Sequence, residues 1–518
     1  MRGTTVSAVT GLLSSVCGKG VRLWVHRCEL HFCDPDSLLS SEEIELLNHQ
    51  RTSVIAALMK ANYFDTSLST LAPRSSSEPA PLTFQQESAL TYREPVFAGI
   101  FAARLRGALN VDILSKSLGA VIQRHEALRT RIIVVGTTLR QKVDEFVEFK
   151  LETVNLTWVS DIDVDYEVQR HIDMFVRQWL DAADSSFEAR LLRLSEYKYV
   201  LVILWDNLFE DYTSAILLFR ELWSFYRDFI QGRQSSLPRV PMQYADYAVW
   251  QRETYFKWLE THDDYWKQRL TGATCVQLPA DNQVLNAQLS SHSCLEISFG
   301  ETLSLAIHDL ARCQRSLSAL VVLTLCAGLL SRWSTQRDFL IPIYVVGRHY
   351  PKHLDVVGFF SHPLPLRIQL TGSETFMDLL KVVSQEFIHA SKHLDIGKTL
   401  AYTPHPFKST YFQWFNSSPM PSDAMVPVPS EWNSTRDGLT IESFPVKWPP
   451  PARNVDKIES PLIIAFANTA KGIVGDVQYR ADLFMPRTIQ RFRRNLHLLA
   501  EHMVRNSHRV VLDLELEH

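Results

Sequence analysis

The chain lacks most of the features that mark whole classes of protein. Its longest apolar run, residues 319–330, falls short of the roughly 20 residues needed to span a bilayer. It reads as a buried helix, and no membrane partner is expected. Arg2 stands near the start, but serine and threonine interrupt the stretch that follows, so the apolar core of a signal peptide is missing. Seven cysteines (Cys17, Cys28, Cys33, Cys275, Cys294, Cys313 and Cys326) make an odd number and never fall as C-x-x-C. No zinc site or other metal site is signalled, and a reducing, cytoplasmic setting is the simple expectation. A net charge of −4 gives no basic field for nucleic acid. The order of residues shows no recognisable triad, metal cluster or phosphate loop.

What is present reads as globular. The 518 residues are 46% hydrophobic and 21% charged, enough for several domains with large cores. Val6, Val9, Leu13 and Val16 recur at helical spacing, and Gly18 and Gly20 then stop the helix. Residues 21–25 alternate apolar and polar and can pair with residues 30–32 as a hairpin. Ser40 and Glu43 fit a capping box. Ile44, Leu47, Val54, Ile55 and Leu58 line a second helix. This helix-hairpin-helix unit, residues 1–62, has a marginal core, and its hairpin edge can accept an added strand. Residues 63–81 form a linker, rich in proline and serine over 73–81.

The densest chemistry lies in Asp206-Asn207-Leu208-Phe209-Glu210-Asp211-Tyr212-Thr213-Ser214. An apolar, β-branched run (200–205) precedes it and an amphipathic run (215–230) follows, which predicts a strand-to-helix turn. Asp211 is placed to cap the helix or to pair with an arginine such as Arg348. Asp206 and Asp211 at i and i+5 can divide acid and base roles if their surroundings differ.

Several segments resemble the condensation-domain superfamily of nonribosomal peptide synthetases, in order. They are Arg124-His125-Glu126-Ala127-Leu128-Arg129-Thr130-Arg131, Tyr244-Ala245-Asp246-Tyr247-Ala248-Val249-Trp250-Gln251, residues 357–367 and residues 475–484. The resemblance implies an α/β (α+β) fold. Two chloramphenicol-acetyltransferase-like lobes, residues 82–262 and 263–518, would form a V with a central tunnel. Acyl or peptidyl carrier proteins would present thioesters there on their phosphopantetheine arms; no cofactor of the chain's own is implied. No adenylation or carrier domain is present in the sequence, so substrates would come on other proteins. The front unit resembles tubulysin-type N-terminal docking domains, through Val21, Leu23, Trp24 and Val25. That resemblance implies capture of the C-terminal tail of an upstream synthase.

The family's turn is His-His-x-x-x-Asp-Gly. Here Asp206 and Asn207 replace the histidines, Asp211 matches the aspartate, and Tyr212 replaces glycine. An amide orients and donates but is no general base. His362 is the candidate replacement base, with Ser361, Gln413, Tyr212 and Ser214 as tunnel residues. Arg124, His125, Arg129 and Arg348 are expected to be structural. Asp206, Asp211 and Ser214 also fit the Asp-x-x-x-x-Asp-x-x-Ser of heterocyclisation domains, whereas Phe359-Phe360-Ser361 departs from the Asp-Phe-Thr of that group. Three functions stay open: amide or ester formation on carrier-bound thioesters, heterocyclisation, and a silent fold that recruits a carrier or a tailoring enzyme.

Overall fold

The computed structural model describes Val16, 22–26, 29–33, 39–49, Val54, Arg74, 78–91, 98–182, 186–240, 242–282, 292–348, 351–393, 409–415, 435–436, 438–444, 446, 460–469 and 471–516. Most of the expected first helix, Val21, Ile55, Leu58 and most of the linker lie outside the described residues. At the front, β1 (Arg22–His26) and β2 (Glu29–Cys33) pair antiparallel as a hairpin. α1 (Ser41–His49) follows. Its start carries the expected box: Ser40 N donates to Glu43 Oε2 at 2.8 Å and Glu43 N to Ser40 Oγ at 3.2 Å.

The main body is mixed α/β. Its first half holds β3 (Ala80–Pro81), α2 (Phe84–Thr91), β4 (Ala98–Gly107), α3 (Val111–Arg124), β5 (Thr130–Val135), β6 (Thr138–Val143), β7 (Glu152–Asn155), α4 (Val164–Ala182), β8 (Phe187–Arg193), β9 (Lys198–Asp206) and α5 (Tyr212–Ile230). The long α6 (Tyr244–Leu270) leads into β10 (His292–Ser298), α7 (Gly300–Cys313), α8 (Ser318–Ser334), β11 (Asp338–Val345), β12 (His362–Gln369) and α9 (Phe376–Ser391). Then come β13 (Tyr411–Phe415), β14 (Thr435–Arg436), β15 (Leu439–Ser443), β16 (Leu462–Thr469), β17 (Gly472–Arg480) and α10 (Pro486–Arg505). Two six-stranded sheets result, ordered β14-β15-β4-β9-β8-β7 and β10-β17-β16-β13-β11-β12, beside a small β3-β6-β5 sheet.

The run at 200–205 is apolar throughout because β9 is covered on both faces. Leu201, Ile203 and Trp205 pack with α3 and α5, whereas Val200, Val202 and Leu204 pack with α4. α8 is buried from Leu320 to Ser331 at the centre of the second lobe. Among the described residues, no single helix is long and apolar enough to cross a membrane.

The expected boundary between residues 262 and 263 falls within α6. α6 gives Tyr244, Tyr247 and Trp250 to the first core and Trp266 and Leu270 to the second. The connection from β11 to β12 gives Val356, Val357 and Phe360 to the first core. β15 crosses over to pair with β4 and covers what would be an open sheet edge. Two-residue and five-residue strands carry too little pattern to announce that partner. Phe444, 3% exposed, anchors the crossing segment with the Arg104 guanidinium 4.8 Å from its ring. Phe444→Ala is expected to cost about 3–5 kcal/mol, read from denaturant unfolding. An unchanged midpoint would mean that the segment is not held there.

Candidate functional site

The turn after β9 is fixed by hydrogen bonds to its backbone. Phe209 N donates to Asp206 O at 2.9 Å, and Leu208 N to Asp206 Oδ1 at 2.8 Å. Gln86, fully buried in α2, donates from Nε2 to Leu208 O at 3.0 Å. Asp206, Asn207 and Tyr212 are half-buried at the tip, while Glu210, Asp211 and Ser214 are buried.

Asp211 spends its whole carboxylate on the fold. Oδ1 accepts from Ser214 N and Ser214 Oγ at 2.9 Å each, which caps α5. Oδ2 accepts from Arg348 Nη1 at 2.5 Å, Phe360 N at 3.1 Å, and Ser361 N and Oγ at 3.2 Å. Both the cap and the arginine pair therefore exist in one side chain. Ser214 Oγ also accepts from Gly358 N at 3.0 Å and Arg348 Nη2 at 2.8 Å. Arg348 reaches this place because Gly347 bends the chain at φ +69°, where a Cβ would collide with Phe360 O. Gly358 admits the Tyr244 ring, which occupies the space a Cβ would need there. Tyr244 Oη then donates to Phe359 O at 2.5 Å.

The remaining expected residues fall in separate places. His362, 5% exposed, opens β12 with Nδ1 3.0 Å from Phe360 O. Arg124 Nε and His125 Nε2 meet Glu221 Oε2 on α5 at 2.7 and 2.6 Å. Arg129 bonds the Asp144 carbonyl. Leu23, Trp24 and Val25 lie on β1. Across from the turn stands the second sheet. The Tyr212 and Phe415 ring centroids are 5.4 Å apart in an edge contact. Gln413, Ala465, Asp476 and Glu296 are successive cross-strand partners and share one face.

Two carboxyl groups escaped notice in the sequence. Glu210 is fully buried and neither of its oxygens has a hydrogen-bond partner. Burial pushes its carboxyl well above the ordinary range, and the charges of Asp211 and Asp206 add to the shift. The only signal was an acid beside Leu208 and Phe209. Asp476 is pushed up to about 6, mainly by burial, and Gln478 Nε2 donates to it at 3.2 Å. Among the described residues no group of three metal-ligating side chains stands together.

Two outcomes follow for stability. Arg348→Ala leaves a buried carboxylate unpaired and should cost about 3–5 kcal/mol in urea unfolding. A loss below about 1 kcal/mol, the scale of a surface pair, would show that the lobes are held elsewhere. Glu210 has a folded pKa above its unfolded one, so the folded state binds the extra proton. Its contribution is favourable below the unfolded value near 4.5 and is lost as pH rises through the folded value. Glu210→Gln should remove that downward slope, giving a variant that melts higher than the wild type at pH 8 and nearly level with it at pH 4. Parallel melting curves across pH would contradict the assignment.

The Condensation domain profile matches residues 97–516. Malpinin synthetase of Mortierella alpina is 26% identical over 84% of this chain, which spans 6% of that protein. Phosphinothricin tripeptide synthetase PhsC of Streptomyces viridochromogenes is 26% identical over 82% of the chain, which spans 39% of it. Among solved structures, the X-domain from teicoplanin biosynthesis aligns with a TM-score of 0.70 at 21% identity, covering 86% of this chain and all (100%) of that one. The same X-domain in complex with OxyB gives 0.70 at 22%, over 87% and 98% of the two chains. With the ordered motifs and both sheets in place, the chain belongs to the condensation-domain family.

Proposed function

We propose that the protein serves nonribosomal peptide assembly as a binding and recruiting member of its family. It receives an acyl thioester on the phosphopantetheine arm of a carrier protein and holds it for a second protein. One observation carries this reading: neither Asp211 nor the residue at the position of the family's base is free to take a proton. Asp211 is saturated by six hydrogen bonds, and Asn207, at the position of the family's base, is an amide. The same saturation weighs against Asp206 and Asp211 sharing acid and base roles in a cyclisation. Asn207 and Asp206 would orient a thioester by hydrogen bonding, with Tyr212 and Gln413 alongside. The X-domain that aligns with this chain is found in complex with OxyB, which supports recruitment as a use of the fold. The hairpin and α1 would dock the C-terminal tail of an upstream synthase by strand addition.

A second reading rests on Asp476. A carboxyl raised to about 6 is a competent base near neutral pH, and it shares a sheet face with Gln413. Condensation would then draw its base from the second lobe.

The test mixes the protein with acyl-loaded and amine-loaded carriers, with intact mass spectrometry for product and a separate binding measurement. Carrier binding without product is expected. Formation of an amide, an ester or a ring with loss of water would sink the recruiting reading. Product that vanishes in Asp476→Asn, with binding kept, would establish the second. Removing residues 1–62 should weaken pairing with an upstream tail and leave the melting of the main body unchanged. Undiminished pairing would overturn the docking assignment.

A further inference from the structure

A second constellation lies on the helix side of the second sheet, beside a cavity that also touches Gly347 and Arg348. The axes of α7 and α8 meet at 106°, and this bend carries His308 to Ser318. His308 Nδ1 lies 2.7 Å from Ser318 Oγ, and its Nε2 lies 3.2 Å from Asn468 Oδ1 on β16. In the tautomer protonated at Nε2, the ring donates to Asn468 Oδ1 and Nδ1 is left to accept the hydroxyl proton. A hydroxyl, an imidazole and an orienting group in series are the working parts of an activated nucleophile.

The surroundings fit acyl chemistry. Ser318 is the first residue of α8, and Leu320 N and Val321 N already donate to Leu317 O at 2.9 and 3.1 Å. The amides of Ser318 and Ala319 stand ahead of the first intrahelical acceptor and are placed to receive a developing oxyanion. His308, Ser318, Ala319 and Asn468 line a cavity of about 560 Å³, within the range of small-molecule sites. Leu320, Leu323, Ile343, Phe387, Phe412 and Trp414 make much of its remaining wall apolar.

We propose that Ser318 is a nucleophile and that this site hydrolyses thioesters of apolar acyl chains. Ser318 Oγ attacks the acyl carbonyl while its proton passes to His308 Nδ1. The carbon–sulfur bond breaks, and the thiolate leaves with that proton as a free thiol. Water then attacks the acyl-serine ester and gives a proton to His308 Nδ1. The carbon–Oγ bond breaks and Ser318 recovers its proton. The sum is thioester and water to carboxylic acid and thiol. Asn468 orients the ring but carries no charge to stabilise an imidazolium, so turnover is slow.

The experiment uses the full chain with a fluorophosphonate probe, located by intact mass and peptide mapping. Alongside it, S-decanoyl- and S-acetyl-N-acetylcysteamine hydrolysis is followed by thiol release. A single adduct on Ser318 and faster cleavage of the decanoyl compound are expected. Ser318→Ala should lose both, and His308→Gln should lower both rates about 100-fold, with melting curves reporting whether each variant folds. If His308 and Ser318 serve only to pin α7 against α8, the wild type gives no adduct there. No adduct on Ser318, or hydrolysis that survives Ser318→Ala, overturns the proposal.

Discussion

A carboxylate and a guanidinium, both almost fully removed from water, hold the two lobes to each other. Asp211 and Arg348 have side chains 3% and 1% exposed, so neither charge is stable alone in that position. The pair persists because every oxygen of Asp211 finds further donors in Ser214, Phe360 and Ser361. This sets the position of residues 346–348 and 351–361, the strap between β11 and β12, which in turn sets Phe360 among the first lobe's aromatic side chains. The first turn of α5, the strap and the start of β12 are thereby one mechanical unit.

That unit explains how the turn keeps its shape. The residues that hold the backbone are present: Asp211 as cap, Gln86 beneath Leu208 O, and Tyr244 over the strap. Positions 206 and 207 carry an aspartate and an asparagine. Glu210 adds a third acid within six positions, and its burial favours the neutral form. Three full charges so close together would repel one another at large cost in a dry site.

Local patterns in the sequence were legible where a single element decides the outcome. The β9 run, the turn, α5, the Ser40 box and the burial of α8 all follow from composition and period. The hairpin lies within one residue of its expected strands. Apart from the Asp211–Arg348 pair, contacts across the fold were not legible. Glu221, which binds both Arg124 and His125, lies 96 positions from His125 and has no local signature. Asp476 reads as an ordinary strand acid until burial shifts it. Ser318, His308 and Asn468 come together only through a helix bend and a strand 160 positions away from His308.

The crossing of β14 and β15 into the first sheet bears on how this protein can be recombined. A chimera spliced at residue 262 would pair one parent's β4 with the other parent's β15, because Leu439–Ser443 zips against Ala103–Gly107. Mismatched parents would leave a bare edge on one sheet and an unanchored flap on the other. Exchange units therefore need to keep residues 98–107 and 435–446 from the same ancestor.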